Sequence, residues 1–276
     1  MSYKIIMDSA AEVNDRLKGK VISVPLTVSV LGKDYVDDEN MDIADFRSAV
    51  RKSEAPPRSS CPSPDAYCSA ISECDRVYIV AITSKLSGSF NSARLGLQAY
   101  LDEHPGVKGY AFDSLNASGG EALVAEKIIE LEEKGLEFDE IVKAVEEYIP
   151  TITTNVVLED LSVLYKNGRL SKVAYVATSV LDIVAVLTIK DGELVKLAQA
   201  RGVKKAIKSM EKLAVEDIKA RGIKKVTITH SIAPERAEAL KEALEKELGN
   251  EIDIVIVPTG GLISMYAGER GLVISY

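Results

Sequence analysis

The stretch RVYIVAITSKLSGSFNSA, Arg76 to Ala93, decides how the rest of the chain is read. Its first half is a nearly unbroken aliphatic run, the pattern of a strand buried on both faces. It then gives way to Ser84, Ser87, Gly88 and Ser89, and next to the helical spacing of FNSARLGLQAYLDEH (90–104), closed by Pro105 and Gly106. Strand, small-residue turn and helix in that order open a βαβ unit. The turn itself admits two readings: a plain helix cap, or an anion seat at a helix N-terminus, where N–H groups lack partners and the dipole is positive.

Working outward, KGYAFDS (108–114) supplies the next strand, and GGEALVAEKIIELEEKG (119–135) and EFDEIVKAVEEYIPT (137–151) two helices. Upstream lie the strand YKIIMDS (3–9), the extended run KVISVPLTVSVLG (20–32) with a turn at GKDY, and the helix MDIADFRSAVRKSE (41–54). The breaker APPRSSCPSP (55–64) follows, with a short helix expected from Pro64. This βαβα order implies a mostly parallel sheet covered by helices on both faces. After Thr151 the pattern changes. TTNVVLEDLSVLYKNGRLS (153–171) mixes a short strand and a helix stopped at Gly168, and IVAVLTIKDGELVKLAQA (183–200) reads as a hairpin turning at Asp191-Gly192. A long charged helix, KKVTITHS (224–231), PERAEALKEALEKELG (234–249) and EIDIVIVPT (251–259) complete a second unit with a mixed sheet. The expectation is an α/β fold of two domains, 1–155 and 156–276, with a ligand in the crevice between them.

Composition narrows the function. The formal charge of −8 argues against nucleic acid. No apolar run reaches the roughly 18 residues of a membrane span, and Asp8 interrupts the opening apolar residues where a signal peptide needs none; a cytoplasmic protein is expected. Cys61, Cys68 and Cys74 form no C-x-x-C pair, and His104 and His230 are the only histidines, so no metal site and no disulfide is expected. No Walker A or dinucleotide fingerprint is present. Ser87 on a strand-to-helix turn suggests a hydrolase, but G-x-S-x-G and an evident base are missing. The loop RSSCPSP offers Ser59, Ser60 and Ser63 before a helix, a second hydroxyl cluster beside that of Ser87 and Ser89.

DSAAEV, SSCPSP, SKLSGSFNSA, DSLNASGGEALV, LYKNGRLSK and ARGVKKAI occur in that order. Together they make the whole chain resemble the DegV family, whose members include the fatty-acid-binding subunits of bacterial fatty acid kinase. The resemblance implies two α/β domains with a long-chain fatty acid such as palmitate buried between them, its carboxylate held by hydroxyls. It implies an acyl carrier for phospholipid metabolism rather than an enzyme, with no cofactor besides the lipid. It leaves room for a separate kinase subunit as partner and for transient contact with a membrane surface. Ser59 takes the place of the family threonine in T-S-Q-P-S, with Ser60 beside it and Cys61 at the glutamine. Ser87 takes the serine of L-S-G-T. Arg169 takes the arginine of G-G-R-I, with Asn167 at the first glycine; with Arg201 it is a candidate head-group or partner contact. Where the family reads I-G-T-H-T-G-P-G this chain has ISMYAGER, which puts Tyr266 at the histidine and Arg270 at a glycine. KVAYVATSVLDIVAVL (172–187) is expected to line the alkyl slot, or equally to be ordinary core. The competing function is a serine hydrolase or phosphoryl-transfer component acting on a small anion.

Overall fold

The computed structural model describes residues 2–172, 175, 182–249 and 251–276. Four strands form a parallel sheet in the order β2-β1-β6-β7: β1 Tyr3–Asp8, β2 Ile22–Val24, β6 Arg76–Ala81 and β7 Lys108–Asp113. Every residue of β6 is buried, as its uninterrupted apolar run requires. Alternation sorts its side chains between two cores. Val77, Ile79 and Ala81 pack with Ile6 against α2 (Pro64–Ala70) and α3 (Ser89–Glu103). Tyr78 and Val80 pack with Ile5 and Met7 against α4 (Gly119–Glu133) and α5 (Phe138–Tyr148).

The second sheet has six strands in the order β10-β9-β8-β13-β11-β12. These are β8 Thr154–Val157, β9 Ile183–Lys190, β10 Glu193–Arg201, β11 Lys225–His230, β12 Asp253–Pro258 and β13 Leu272–Ser275. Only β11 and β12 pair in parallel; the other neighbours are antiparallel, which makes this the mixed sheet. The hairpin turns at Asp191-Gly192, both with positive φ (50° and 83°), the backbone a primed two-residue turn needs. Helices α7 (Val203–Arg221) and α8 (Pro234–Leu248) cover one face. The expected boundary at 155/156 falls inside β8, and β8 belongs to the six-stranded sheet.

The run at 20–32 does not form one strand. Pro25, which has no N–H to give a ladder, separates β2 from β3 (Thr27–Val30). β3 instead pairs antiparallel with β4 (Lys33–Val36) and β5 (Arg58–Ser60), a small third sheet invisible to local pattern. That sheet and α1 (Ile43–Lys52) join α6 (Ser162–Lys166), α9 (Gly261–Ala267) and the inner face of β8, β9 and β13 in a shared aliphatic core. Helix α4 wedges between the two large sheets: a Cβ on Gly119 would lie 2.9 Å from Thr227 Cγ2, so only glycine permits this approach. Half of the segment 172–187 expected to line a slot lies outside the described residues; within the rest, Ala185, Val186 and Leu187 are buried.

Candidate ligand-binding cavity

A cavity, partly open to solvent and with about 730 Å³ of empty space when that opening is included, lies in the aliphatic core where the N-terminal and C-terminal elements meet. Leu26, Ile82, Leu86, Val156, Leu158, Leu164, Ile189, Leu194, Leu262 and Ile263 give it aliphatic walls, and Ser59, Ser87, Ser118, Thr154, Arg169 and Tyr266 are its polar lining.

Four of these polar residues, Ser59, Ser87, Arg169 and Tyr266, come from four separate pieces of chain. β5 carries Ser59, whose hydroxyl lies 3.0 Å from that of Tyr266 on α9. The turn after β6 carries Ser87, whose Oγ accepts the Ser89 N–H at 3.2 Å; among the described residues its own proton has no acceptor. Gly88 lets the two loops meet: a Cβ there would sit 3.2 Å from Cys61 Sγ. Arg169, after α6, donates from Nε to the Leu86 carbonyl at 3.1 Å and from Nη1 to the Asn167 carbonyl, while Asn167 Nδ2 donates to the Pro57 carbonyl at 2.8 Å. Arg169 therefore pins the Gly168 turn to the Ser87 loop, and Asn167 pins it to the Ser59 loop.

Beneath the turn sits Asp8, fully buried. Its carboxylate accepts the Ile82 N–H (3.0 Å), the Ala10 N–H (3.1 Å) and the Ser89 hydroxyl (2.5 Å), and the Tyr67 hydroxyl lies 2.6 Å from that of Ser89. Burial pushes the Asp8 carboxyl up; the three hydrogen bonds pull the other way. Ser89 is thus part of the scaffold under the site and does not line it.

Of the residues singled out by sequence, Ser59, Ser87, Arg169 and Tyr266 come together. Two do not. Ser60 is the next residue along β5, so its side chain leaves on the opposite, exposed face. Arg201, at the end of β10, is exposed and its Nε lies 3.7 Å from Asp182. Ser63 caps α2 by accepting the Ala66 N–H at 3.1 Å, the plain reading. Sequence reasoning passed over Ser118 and Thr154. Ser118 carries a left-handed φ of 56° and meets Thr229 Oγ1 at 2.9 Å; its only signal was the motif DSLNASGGEALV. Neither histidine lines the cavity: His104 stacks on Tyr100, and His230 accepts the Ala233 N–H on Nδ1 at 3.2 Å, with burial lowering its pKa. Among the described residues no cluster of His, Cys, Asp or Glu is arranged to hold a metal, and no helix is long and apolar enough to cross a membrane.

Hydroxyl donors and a guanidinium on one wall of an aliphatic chamber suit a ligand with an anionic head and a long apolar body. The sequence model described as uncharacterised protein, DegV family, matches residues 2–276. A DegV domain-containing protein of Streptococcus pneumoniae is 35% identical over 281 residues, covering 100% of this chain and 99% of the relative. Among solved structures, a DegV family protein from Ruminococcus gnavus with vaccenic acid is 32% identical at a TM-score of 0.92, with each chain covered completely. The Fatty Acid Kinase (Fak) B3 protein of Streptococcus pneumoniae, loaded with linoleic acid, is 34% identical at a TM-score of 0.90, covering 100% of this chain and 99% of that one.

Proposed function

The chain belongs to the DegV family, and from that premise we propose that it binds one long-chain fatty acid in the cavity, carboxylate on the hydroxyl wall and alkyl chain along the aliphatic one. The observation that carries this reading is the convergence of Ser59, Ser87 and Tyr266 on an otherwise apolar chamber. Burying about 14 methylenes at ~0.8 kcal/mol each gives roughly 11 kcal/mol before association costs. Hydroxyl–carboxylate bonds of about 1.5–3 kcal/mol then fix direction. The tail supplies affinity and the serines supply orientation.

Arg169 is held near the head by backbone carbonyls on both sides, so its charge steadies the carboxylate without a salt bridge to the protein. A second depression, bordered by Lys85, Lys196 and Glu193, shares Leu86, Arg169 and Leu194 with the cavity. This supports an opening beside the head group, through which a separate kinase subunit would reach the carboxylate. The protein is then a carrier that presents its ligand, working in the cytoplasm, and carries out no chemistry itself.

The test is native mass spectrometry of the purified protein followed by lipid extraction. A mass excess matching one saturated or monounsaturated long-chain fatty acid is expected. Purely unliganded protein that takes up neither palmitate nor oleate when offered would overturn the reading.

A further inference from the structure

We propose that a recess behind α9 is a second binding site, for a small organic anion bearing a carboxylate or phosphate on a short apolar stem. Helix α9 divides two spaces. Leu262, Ile263 and Tyr266 face the main cavity, whereas Ser264, Met265 and Gly268 border a separate recess of about 330 Å³ of empty space. Across it stands α1 with Arg47 and Arg51, and the turn after β11 closes one side with Ile232.

The charges are arranged for a guest. Arg47 and Arg51 lie one helical turn apart, a like-charge spacing that costs the helix stability. Arg51 reaches Glu269 at 2.9 Å. Arg47 has no carboxylate partner among the described residues, and its Nε is buried without an acceptor. Its one polar contact among the described residues is a long 3.4 Å approach of Nη2 to Ser264 Oγ. That hydroxyl is already engaged with Thr259, through Oγ1 at 2.7 Å and the carbonyl at 3.2 Å. A guanidinium N–H left without an acceptor is costly, and an oxyanion fits its planar fork. Burial and the Arg51 charge disfavour the charged form of Arg47; the Glu269 carboxylate at the rim of the recess favours it from a distance, and an oxyanion in direct contact would add to that support.

The walls ask for more than a bare ion. Phe46, Val50 and Met265 line the recess. Ile232 stands at its edge, 43% exposed and at a φ of 52°. A β-branched residue in that region is strained. It is held there by the Ser231 N–H to the Gly271 carbonyl (3.0 Å) and the Arg270 N–H to the Ser231 carbonyl (2.7 Å). A stem of a few carbons covers this apolar surface while its head meets Arg47.

Hexanoate, acetate and inorganic phosphate serve as probes, titrated into the purified protein while NMR follows the Arg47 Nε–H and the Ser264 amide. Saturable hexanoate shifts at both groups are expected, with Kd on the order of 1 mM or tighter, several-fold tighter than acetate or phosphate because the stem is buried. Arg47→Gln should weaken hexanoate roughly ten-fold or more; Arg47→Lys, which keeps the charge but loses the fork, should weaken it less. No saturable shift up to about 20 mM, far above that Kd, would overturn the site. Equal affinity for all three probes would overturn the stem. Shifts confined to Ser87 and Ile82 that survive Arg47→Gln would put the hexanoate in the main cavity and likewise overturn the proposal.

Discussion

Ser87 and Tyr266 carry the most specific expectations, because in the proposed complex each meets the ligand through one oxygen. Ser87→Ala removes a donor aimed at a charge that has left water, a loss of roughly 1–3 kcal/mol. Fatty-acid affinity should therefore fall about ten-fold or more, measured by displacement of a fluorescent fatty acid. The corresponding methyl ester, which has no charge, should lose much less; equal losses would remove Ser87 from the head-group site. By the resemblance in motif order, Tyr266 takes the position of a family histidine. A phenol only donates or accepts a hydrogen bond near neutrality, whereas an imidazole also shares a proton. Tyr266→His should change lipid affinity little and raise acyl-phosphate formation when the loaded protein is given a compatible kinase. If wild type is already phosphorylated as fast as an authentic kinase partner, the imidazole is dispensable. Ser59, Ser87 and Arg169 were all legible as candidates from motif order. Ser60 was not separable from Ser59 until β5 was seen as a strand, because only strand alternation says which of two adjacent serines faces in.

At the scale of elements, the β9–β10 hairpin contributes Ile189 and Leu194 to the cavity and rests its tip on the serine turn. Gly192, at a φ of 83°, is so close that a Cβ would lie 2.3 Å from Thr83 Oγ1 and 3.0 Å from Lys85 Cγ. Gly192→Val combines a forbidden backbone with overpacking, and should destabilise the protein by about 1–3 kcal/mol. Because the displaced tip borders the ligand wall, fatty-acid dissociation should also speed up. A stopped-flow release rate equal to wild type would mean the tip does not hold the ligand in. Helix α9 is fastened comparably from the other half of the chain. Asp37 accepts the Gly261 and Leu262 N–H groups at 2.7 and 3.1 Å, and Glu12 accepts the Gly260 N–H at 3.1 Å. The Asp191-Gly192 turn was readable locally because its residues dictate its backbone. Its seat on Thr83 was not, since over a hundred positions of sequence separate them.

Across the whole molecule, Asp8, Glu12, Asp37 and Glu121 are buried, and none has a cationic partner among the described residues. Burial raises all four carboxyl pKa values, for Glu12 and Glu121 well above the ordinary range. Glu121 is the extreme case: it is fully buried beside Asp8, whose charge and shared hydrogen bond add to the effect of burial, against a weaker backbone hydrogen bond from Ser118. A carboxyl with a raised folded pKa binds more protons folded than unfolded, so its stabilising contribution is full below the unfolded value near 4 and is lost as pH rises through the folded value. Exposed, salt-bridged acids such as Asp45 have lowered values and pull the other way only at the acid end. Thermal stability should therefore be higher near pH 5 than near pH 8, and Glu121→Gln should raise the midpoint at pH 8 and flatten that decline. A mutant curve parallel to wild type would show that Glu121 does not titrate in this window. Hydrophobic period and turn chemistry within short windows were enough for the α/β class, a parallel sheet ahead of a mixed one, the strand–turn–helix holding Ser87 and the primed hairpin. Tertiary structure alone decided the third sheet around β3, the wedge of α4 between the two large sheets, the Ser59–Tyr266 contact and the unpaired acids. Each depends on which distant segments share a buried face, and burial sets both packing and charge.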